Sequence, residues 1–434
     1  MLGYGRRMRL TTTRLPGLVL TEHEFVVPLD HAAPDGPTIT VFAREVVAPR
    51  KRDQDLPWLL YLQGGPGGRA PRPTGRSGWL GRALQDHRVL LLDQRGTGRS
   101  TPATRQTLAG LGSPSEQADY LGHFRADAIV ADAERLRREL VGGAPWTVLG
   151  QSFGGFCVLT YLSQAPEGVG EAVVTGGLPP LDRDADEVYA ATYARVRDRA
   201  TRFFDRYPAD VDRWHDIADH LATNHVRLPS GDPFPVQRLQ QLGMALGMSD
   251  GSEKVHYLLE TALAGGRAAD GLSDEFLAAV ERTTSFVDAP LYALLHEAIY
   301  CQGGASRWSA QRMRDALPEF APDARPLLPT GEMIYPWMFE GDHTLASLRE
   351  AADLLAARAD WPALYDADRL AANTVPVAAA IYHDDMYVEC DFSLETAKRV
   401  GNLRWWVTSE FAHDGLRSDA RVLDRLLDMA AGET

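Results

Sequence analysis

The stretch "TVLGQSFGGF" (147–156) places one serine, Ser152, between glycines, after an apolar run and before a run of small residues. The preceding "PWTVLG" (145–150) is typical of a strand buried on both faces, and "FGGFCVLTYLSQA" (153–165) is typical of a helix. A Gly-x-Ser-x-Gly string alone occurs often by chance, but a strand–turn–helix setting makes it informative. The sharp turn requires small neighbours and exposes the hydroxyl, so we predict a nucleophile at Ser152; the alternative is a glycine-rich turn with an incidental serine.

Alternating strand and helix patterns surround this turn and indicate the fold class. Strand-like runs and an amphipathic helix follow one another in the order expected for a mostly parallel α/β sheet. An antiparallel strand pair joined by a turn-rich segment is predicted ahead of them. The segments are "EFVVPLD" (24–30), "TITVFAREVVA" (38–48), "PWLLYLQ" (57–63), "HRVLLLDQ" (87–94), "AIVADAERLRRELV" (128–141) and "EAVVTGG" (171–177).

The pattern then changes to a long block of helix-like segments with almost no strand signal, from about residue 181 to about residue 358. Strand patterns return in "VPVAAAIYHDD" (375–385) and "LRWWVTSEF" (403–411), and "ARVLDRLLDMA" (420–430) predicts a final helix. We therefore predict one α/β core, residues 1–180 and 359–434, interrupted by a large helical cap over residues 181–358.

Composition narrows the function classes. The 434 residues carry a formal net charge of −14, which argues against nucleic acid and against anionic membrane surfaces as partners. Three scattered cysteines do not form a disulfide framework or a zinc site. The apolar segment "LPGLVL" (15–20) is too short and too interrupted for a signal peptide, so we expect a cytoplasmic protein that does not enter a membrane. The oligomeric state stays open.

A serine nucleophile needs a base, and the base needs an orienting acid. In this architecture the chain order is serine, acid, histidine, with the acid and the histidine after late strands. His413 follows the last predicted strand, and Asp385 follows the strand before it. We predict His413 as general base and Asp385 as its acid, with Asp384 as the rival. No second ligand cluster supports a metal at "HDD" (383–385), and we expect neither a metal nor a cofactor.

The loop "YLQGGPGG" (61–68) is the candidate for the oxyanion hole. Glycines allow the backbone to approach a substrate carbonyl closely, and the second donor in such sites is the N–H after the nucleophile. We predict the N–H groups of Gly65 and Phe153. A phosphate-binding interpretation of the loop is not favoured, because no Gly-Lys-Ser/Thr ending and no G-x-G-x-x-G pattern follows it.

Four features together resemble the proline iminopeptidases, serine peptidases of the α/β-hydrolase fold: "GGPGG" (64–68), "DQRGTGRS" (93–100), "GQSFGG" (150–155) and the late Asp–His pair. The resemblance covers the whole chain in order, and the length and "GEMIYPWMFE" (331–340) are similar to the larger bacterial members. It implies release of N-terminal proline from peptides with a free N-terminus, with Ser152, Asp385 and His413 as the triad. Gln63 and Phe153 replace the His and Trp usual in shorter members, which affects the pocket and not the triad.

An aminopeptidase must also bind a cationic amine, and an unpaired buried charge is costly. The resemblance implies acidic ligands in the cap, where Glu297 and Glu332 lie among apolar and aromatic residues. Glu187 is a third candidate, although a solvated helix face explains it better. The nearby aromatic residues Tyr300, Tyr335 and Trp337 are predicted to wall a pocket for the proline ring. Ordinary cap packing with half-exposed glutamates is the alternative interpretation.

Two other functions remain open at this stage. The same triad serves an esterase, amidase or acyltransferase acting on a small acyl substrate, because fold alone does not determine function. A ligand-binding protein that has lost catalysis is disfavoured by the complete Ser–Asp–His set. Asp93 and Arg95 follow a strand at a glycine turn, and we expect a structural role for them. Cys157, one helical turn after the nucleophile, is expected to be a small buried residue.

Overall fold

A single mixed sheet forms the centre of the molecule in a computed structural model that describes residues 8–266 and 271–433. Nine strands hydrogen-bond in the order β1-β2-β3-β5-β4-β6-β7-β8-β9. The strands are β1 (Met8–Leu15), β2 (Leu18–Pro28), β3 (Thr38–Val47), β4 (Trp58–Leu62), β5 (Arg88–Leu92), β6 (Trp146–Gln151), β7 (Val169–Thr175), β8 (Val377–Tyr382) and β9 (Leu403–Thr408).

Strands β5, β4, β6, β7, β8 and β9 run parallel to one another. The other pairs, β1 with β2, β2 with β3 and β3 with β5, are antiparallel. The predicted strand pair is confirmed as β2 and β3. The apolar runs predicted as buried strands are also confirmed, since all but the first residues of β4 and β5 are buried and β8 is buried throughout. This mostly parallel sheet with a helical insertion is an α/β-hydrolase architecture.

Strand β1 is the one strand that the sequence patterns do not predict. It pairs with β2 along the outer edge of the sheet, and Pro16 and Gly17 make the turn between them. Gly17 has φ 76°, a conformation that glycine adopts at little cost. The segment "LPGLVL" is thus a hairpin turn followed by the start of β2.

Helices cover both faces of the sheet and fill the long connection between β7 and β8. That connection begins after Thr175 and ends at Val377, and it carries the predicted helical block. The described helices are α1 (Gly78–Ala83), α2 (Arg105–Ala109), α3 (Pro114–Leu121), α4 (Ala126–Val141), α5 (Phe153–Gln164), α6 (Ala185–Arg206), α7 (Ala209–Thr223), α8 (Val236–Gln240), α9 (Gly251–Glu260), α10 (Asp274–Thr284), α11 (Pro290–Leu295), α12 (Ser309–Asp315), α13 (Met338–Gly341), α14 (Arg349–Ala357), α15 (Ala367–Ala371), α16 (Cys390–Arg399), α17 (Gly415–Ser418) and α18 (Arg421–Ala431).

Two of the contacts between the helical insertion and the core are made at loops of the core. A Cβ added to Gly67 would lie 2.7 Å from the Cβ of Leu291 at the start of α11, so the glycine-rich loop and the insertion touch through backbone. The backbone N–H of His413 donates to the carbonyl of Gly247 in the insertion at 3.1 Å. The boundaries of the three segments, 1–180, 181–358 and 359–434, stay a prediction.

Within the described ranges, no helix combines the length and the apolar character needed to cross a membrane. Cys157, Cys301 and Cys390 are buried free thiols.

Candidate active site

Ser152 sits in the turn between β6 and α5 with φ 55° and ψ −127°, an unfavourable conformation for a residue with a side chain. The small neighbours are a steric requirement. A Cβ on Gly150 would lie 2.3 Å from the carbonyl oxygen of Gly154, and a Cβ on Gly154 would lie 2.0 Å from that of Leu62. The serine N–H donates to the carbonyl of Thr175 in β7 at 3.0 Å, which ties the turn to the sheet.

Asp385 and His413 form a buried pair after β8 and β9. The Nδ1 atom of His413 lies 2.7 Å from Oδ2 of Asp385, and both side chains are almost completely buried. The other carboxylate oxygen of Asp385 accepts from the N–H groups of Tyr387 and Val388 at 2.8 and 3.1 Å. Burial lowers the pKa of His413, but the carboxylates of Asp385, Glu332 and Asp414, with Asp385 contributing most, together outweigh burial, and the net result is a raised pKa.

Asp384, the rival acid, turns away from this pair. Its carboxylate binds Arg202 at 2.7 Å and the exposed His383 at 3.1 Å. The hydrogen bond from Arg202 lowers the pKa of Asp384. The two neighbouring aspartates therefore have different environments, and Asp385 is the one that contacts the imidazole.

Two glycines after β7 bring the serine turn and the histidine loop together. A Cβ on Gly177 would lie 2.3 Å from the carbonyl oxygen of Ser152, and a Cβ on Gly176 would lie 3.2 Å from Nδ1 of His413. Gly176 also has φ 51°. Any larger residue at this point would separate Ser152 from His413, so the pair of glycines sets how closely the two approach.

The predicted oxyanion loop lies directly against Ser152. A Cβ on Gly64 would lie 2.9 Å from the serine Cβ, and the next residue, Gly65, has φ 143°. The main chain of Gln63 is held by the side-chain amide of Gln94, which donates to its carbonyl at 3.0 Å. Phe153 is the first residue of α5, where backbone N–H groups are free of intrahelical partners. Gly64, the neighbour of Gly65, thus lies against the serine on one side and Phe153 follows it in the chain; the oxyanion role of Gly65 and Phe153 stays a prediction.

The long insertion brings Glu332 within electrostatic range of the Asp385–His413 pair. Its Oε1 accepts from the hydroxyl of Tyr292 at 2.5 Å. Burial raises the pKa of Glu332 to about 7, while the nearby His413 and the Tyr292 hydroxyl act in the opposite direction. The Glu332 residue is partly buried. A carboxylate in this position is charged only when the pH is high enough or a cation binds beside it.

Glu297 is engaged differently. Its two carboxylate oxygens accept from the backbone N–H groups of Ala310 and Ser309, at 2.9 and 3.1 Å, at the start of α12. The residue is 7% exposed, and burial raises its pKa. A carboxylate that satisfies the first N–H groups of a helix serves the structure of the insertion. The role of Glu297 as an amine ligand stays a prediction, and it is the weaker of the two.

The predicted aromatic wall divides into two parts. Tyr300 is buried and meets Phe156 of α5 edge to face, with ring centroids 5.9 Å apart. Tyr335 hydrogen-bonds through its hydroxyl to Tyr193 at 2.7 Å, and its ring stacks on Trp337 at 6.1 Å. Burial raises the pKa of Tyr300, and the negative charges of Glu332 and Asp385 act in the same direction.

Glu187 lies on the surface. It completes a capping box at the start of α6 with Asp184, and its carboxylate pairs with Arg183 at 2.9 Å. Arg183 lowers the pKa of Glu187. The solvated helix face considered from the sequence describes this residue well.

The "DQRGTGRS" turn is held by buried ion pairs. Asp93 accepts from both terminal nitrogens of Arg72 at 2.8 and 2.6 Å. Arg95 binds the carboxylate of Asp132 in α4 at 2.8 and 2.6 Å and donates to the carbonyl of His123 at 2.7 Å. These bonds fit the structural role expected for the turn. Cys157 is fully buried behind the nucleophile, and burial raises the pKa of its thiol.

Three residues near the site were not singled out from the sequence. Tyr292 binds Glu332, its neighbour His296 stacks on it, and Tyr387 packs edge to face on His413 with centroids 4.8 Å apart. A signal for the first two was present in the sequence, because Tyr292, His296 and Tyr300 follow each other at intervals of four, the spacing of residues on one face of an α-helix. Tyr387 follows Asp385 in a loop, where no periodicity marks it.

Comparison with known proteins agrees with this architecture. The family described as alpha/beta hydrolase fold matches residues 57–230. A proline iminopeptidase of Aeromonas sobria is 51% identical over 416 residues, covering 95% of this chain and 97% of that protein. A proline iminopeptidase of Aspergillus aculeatus is 38% identical over 421 residues, covering 93% and 92%.

Among solved structures, a proline iminopeptidase-related protein of Thermus thermophilus aligns over 95% of this chain and 97% of its own, with 15% identity and a TM-score of 0.40. The two relatives similar over nearly their whole length settle the classification. The chain belongs to the proline iminopeptidase family of α/β-hydrolases.

Proposed function

We propose that this protein is a serine aminopeptidase that releases N-terminal proline from peptides with a free N-terminus. The observation that carries the proposal is the carboxylate of Glu332, which interacts electrostatically with the buried Asp385–His413 pair. A hydrolase acting on neutral acyl groups has no use for a second carboxylate at this point. An aminopeptidase requires one, because the amine of its substrate is cationic and close to the scissile carbonyl.

The chemistry begins at Ser152. Its Oγ attacks the carbonyl carbon of the N-terminal residue while His413 accepts the hydroxyl proton. The N–H groups of Gly65 and Phe153 stabilise the negative oxygen that develops. His413 then gives its proton to the leaving amine as the C–N bond breaks, and the acyl group stays on Ser152. Water repeats the sequence and releases the free amino acid, without a cofactor.

Asp385 supports this proton transfer through Nδ1 of His413. Its second oxygen accepts two backbone N–H bonds, so the carboxylate cannot rotate away from the imidazole. It holds the tautomer with the proton on Nδ1, leaves the other ring nitrogen free to act as base, and stabilises the imidazolium. The raised pKa of His413 fits a base with this partner.

Glu332 is our choice for the amine ligand. One of its oxygens is bound by Tyr292, and the other has no hydrogen-bond partner among the residues that the structure describes. Glu297 has both oxygens occupied by a helix terminus. A cation beside Glu332 would favour the charged carboxylate and lower its pKa, so substrate and enzyme stabilise each other's charge.

The preference for proline is assigned to the aromatic surface beside Glu332. The rings of Tyr292, Tyr300 and Phe156 are rigid, large and held by other aromatic rings. A proline side chain is itself a rigid ring, so its burial against such a surface carries little conformational cost. A flexible side chain such as leucine loses more freedom in the same place.

The test is the hydrolysis of naphthylamides of proline, alanine and leucine beside simple acyl esters, with Ser152→Ala and the surface variant Ser113→Ala as matched control. Proline-selective turnover that disappears in Ser152→Ala and survives in Ser113→Ala is the expected result. Turnover of acyl esters without any turnover of aminoacyl-naphthylamides would replace the proposal by the esterase alternative.

A cytoplasmic location is part of the proposal. Three free, buried thiols are compatible with a reducing compartment. Fractionation of the native host with antibody detection would test this, and recovery in the secreted fraction would contradict it.

A further inference from the structure

We propose that Tyr292 is a positioning residue that fixes the carboxylate of Glu332 relative to the oxyanion loop, and thereby selects acyl groups whose amine is on the α-carbon. The inference rests on the proposed function. Three contacts of Tyr292 carry it: one through the hydroxyl, one through the ring and one through the backbone.

The hydroxyl contact fixes one carboxylate oxygen. Tyr292 donates to Oε1 of Glu332 at 2.5 Å, a short hydrogen bond to an acidic group. A glutamate side chain has three rotatable bonds and loses its freedom only when its end is held. The hydrogen bond leaves Oε2 as the oxygen available to a ligand.

The ring contact keeps the hydroxyl from moving. Tyr292 stacks between Phe286 and His296, with centroids 5.9 and 4.8 Å away and interplanar angles of 21° and 23°. Burial lowers the pKa of His296 to about 4, so the ring is neutral and adds no competing cation. The ring whose hydroxyl holds the Glu332 side chain is therefore itself packed against two neighbouring rings.

The backbone contact links this assembly to the oxyanion loop. A Cβ on Gly67 would lie 2.9 Å from the backbone nitrogen of Tyr292 and 2.7 Å from the Cβ of Leu291. No side chain fits between the two segments, and Gly67 has φ 80°, which favours glycine. The loop that carries Gly65 thus rests directly on the residue that holds Glu332.

These contacts correspond to a property of the substrate. In an α-amino acyl group a single carbon separates the amine from the carbonyl, so the distance between them is nearly fixed. A site that binds the carbonyl through Gly65 and the amine through Glu332 must hold its own two groups equally firmly. Moving the amine one carbon further along the ring, as in β-proline, breaks the match.

The electrostatic surroundings of Glu332 matter for any test by pH. Besides Tyr292, the titratable groups that interact with its carboxyl are one base, one acid and several buried phenols. They are His413, Asp385, Tyr189, Tyr300 and Tyr387. His413 and the Tyr292 hydroxyl lower the pKa of Glu332, and Asp385 raises it. Removing the Tyr292 hydroxyl must therefore raise the pKa of Glu332.

The experiment compares Tyr292→Phe, Glu332→Gln and the double variant, with Tyr257→Phe as a control at an exposed tyrosine. The substrates are the naphthylamides of L-proline and of β-proline, assayed across pH. We expect Tyr292→Phe to lower kcat/KM for L-proline about tenfold, the effect of losing a hydrogen bond to a charged group. The acid limb of its plot of kcat/KM against pH should move to higher pH. Its preference for the naphthylamide of L-proline over that of β-proline should fall. Added to Glu332→Gln, the same change has little further effect.

A second variant, Phe286→Leu, keeps the hydroxyl and frees one face of the ring. We expect a smaller loss of kcat/KM, again only where Glu332 is present. Equal losses from Tyr292→Phe with and without Glu332, or an unmoved acid limb, overturn the inference. A wild-type enzyme that ignores the free amine would refute the proposed function itself, and a silent Glu332→Gln in an amine-dependent enzyme would refute Glu332 as the amine ligand and with it this inference. Normal amine dependence with a silent Tyr292→Phe refutes only the role of Tyr292.

Discussion

Replacing Glu332 by glutamine tests the amine-binding carboxylate through the pH dependence of the enzyme. Two groups must lose a proton before the free enzyme is active: His413, which acts as base, and Glu332, which pairs with the substrate cation. Burial raises the pKa of Glu332 to about 7. One pH unit below that value only about a tenth of the carboxyls are charged, so kcat/KM falls about tenfold from this group alone.

The variant is expected to change both the level and the shape of the profile. Glutamine keeps the volume and the hydrogen bond to Tyr292 but leaves the substrate cation unpaired, which costs about 3 kcal/mol or more for a buried charge. That corresponds to a loss of kcat/KM of about 150-fold at the optimum. The Glu332 carboxylate also contributes to the raised pKa of His413, so its removal lowers that pKa. The acid limb should become less steep and move to lower pH.

The assay is kcat/KM for L-prolyl-naphthylamide from acidic to mildly basic pH, with Glu340→Gln as an exposed control on the same segment. A Glu332→Gln enzyme whose activity stays within about threefold of wild type, with the same acid limb, would refute the reasoning. The same loss in Glu340→Gln would show that the effect is general and not due to the site.

Three further outcomes follow from the contacts. Asp385→Asn should lower kcat by about four orders of magnitude, because the imidazole loses the acceptor that sets its tautomer. Asp384→Asn should keep a kcat close to that of wild type. Equal losses of kcat in the two variants, measured in stopped assays, would contradict this. Asp132→Asn should lower the free energy of unfolding in urea by about 3–5 kcal/mol, because it leaves the charge of the fully buried Arg95 uncompensated. The control Arg99→Lys, at a partly exposed ion pair, should cost about 1 kcal/mol or less. An Asp132→Asn variant as stable as wild type would be inconsistent with the structural role of the turn. Glu297→Gln should lower the thermal midpoint by weakening the start of α12 and leave KM for the proline substrate nearly unchanged; a raised KM at unchanged stability would make it an amine ligand instead.

The sequence predicts the core of the fold because the signals there are local. Short apolar runs bounded by glycine and proline mark β4, β5 and β6. The turn at Ser152 requires small residues at positions 150 and 154, and the sequence has glycine at both. The order of Ser152, Asp385 and His413 along the chain follows from strand order in the sheet. By contrast, β1 is largely polar and lies at the edge of the sheet, and its pattern does not differ enough from that of a loop.

The insertion is less predictable because its contacts join segments distant in the chain. Glu297 and Glu332 have similar apolar surroundings in the sequence, and only tertiary structure separates a carboxylate that caps a helix from one beside His413. The pairing of Tyr292 with Glu332 spans 40 residues. Gly176 and Gly177, which bring Ser152 and His413 together, look like an ordinary turn until both neighbours are in place.

The most direct test of the central claim is the ratio of kcat/KM for L-prolyl-naphthylamide to that for its N-acetylated form, in wild type and in Glu332→Gln. Acetylation removes the positive charge and leaves the scissile bond unchanged. A large ratio in wild type that falls strongly in Glu332→Gln is the predicted result. A ratio near one in wild type would contradict the account and leave Ser152, Asp385 and His413 as the triad of a hydrolase that does not recognise an amine.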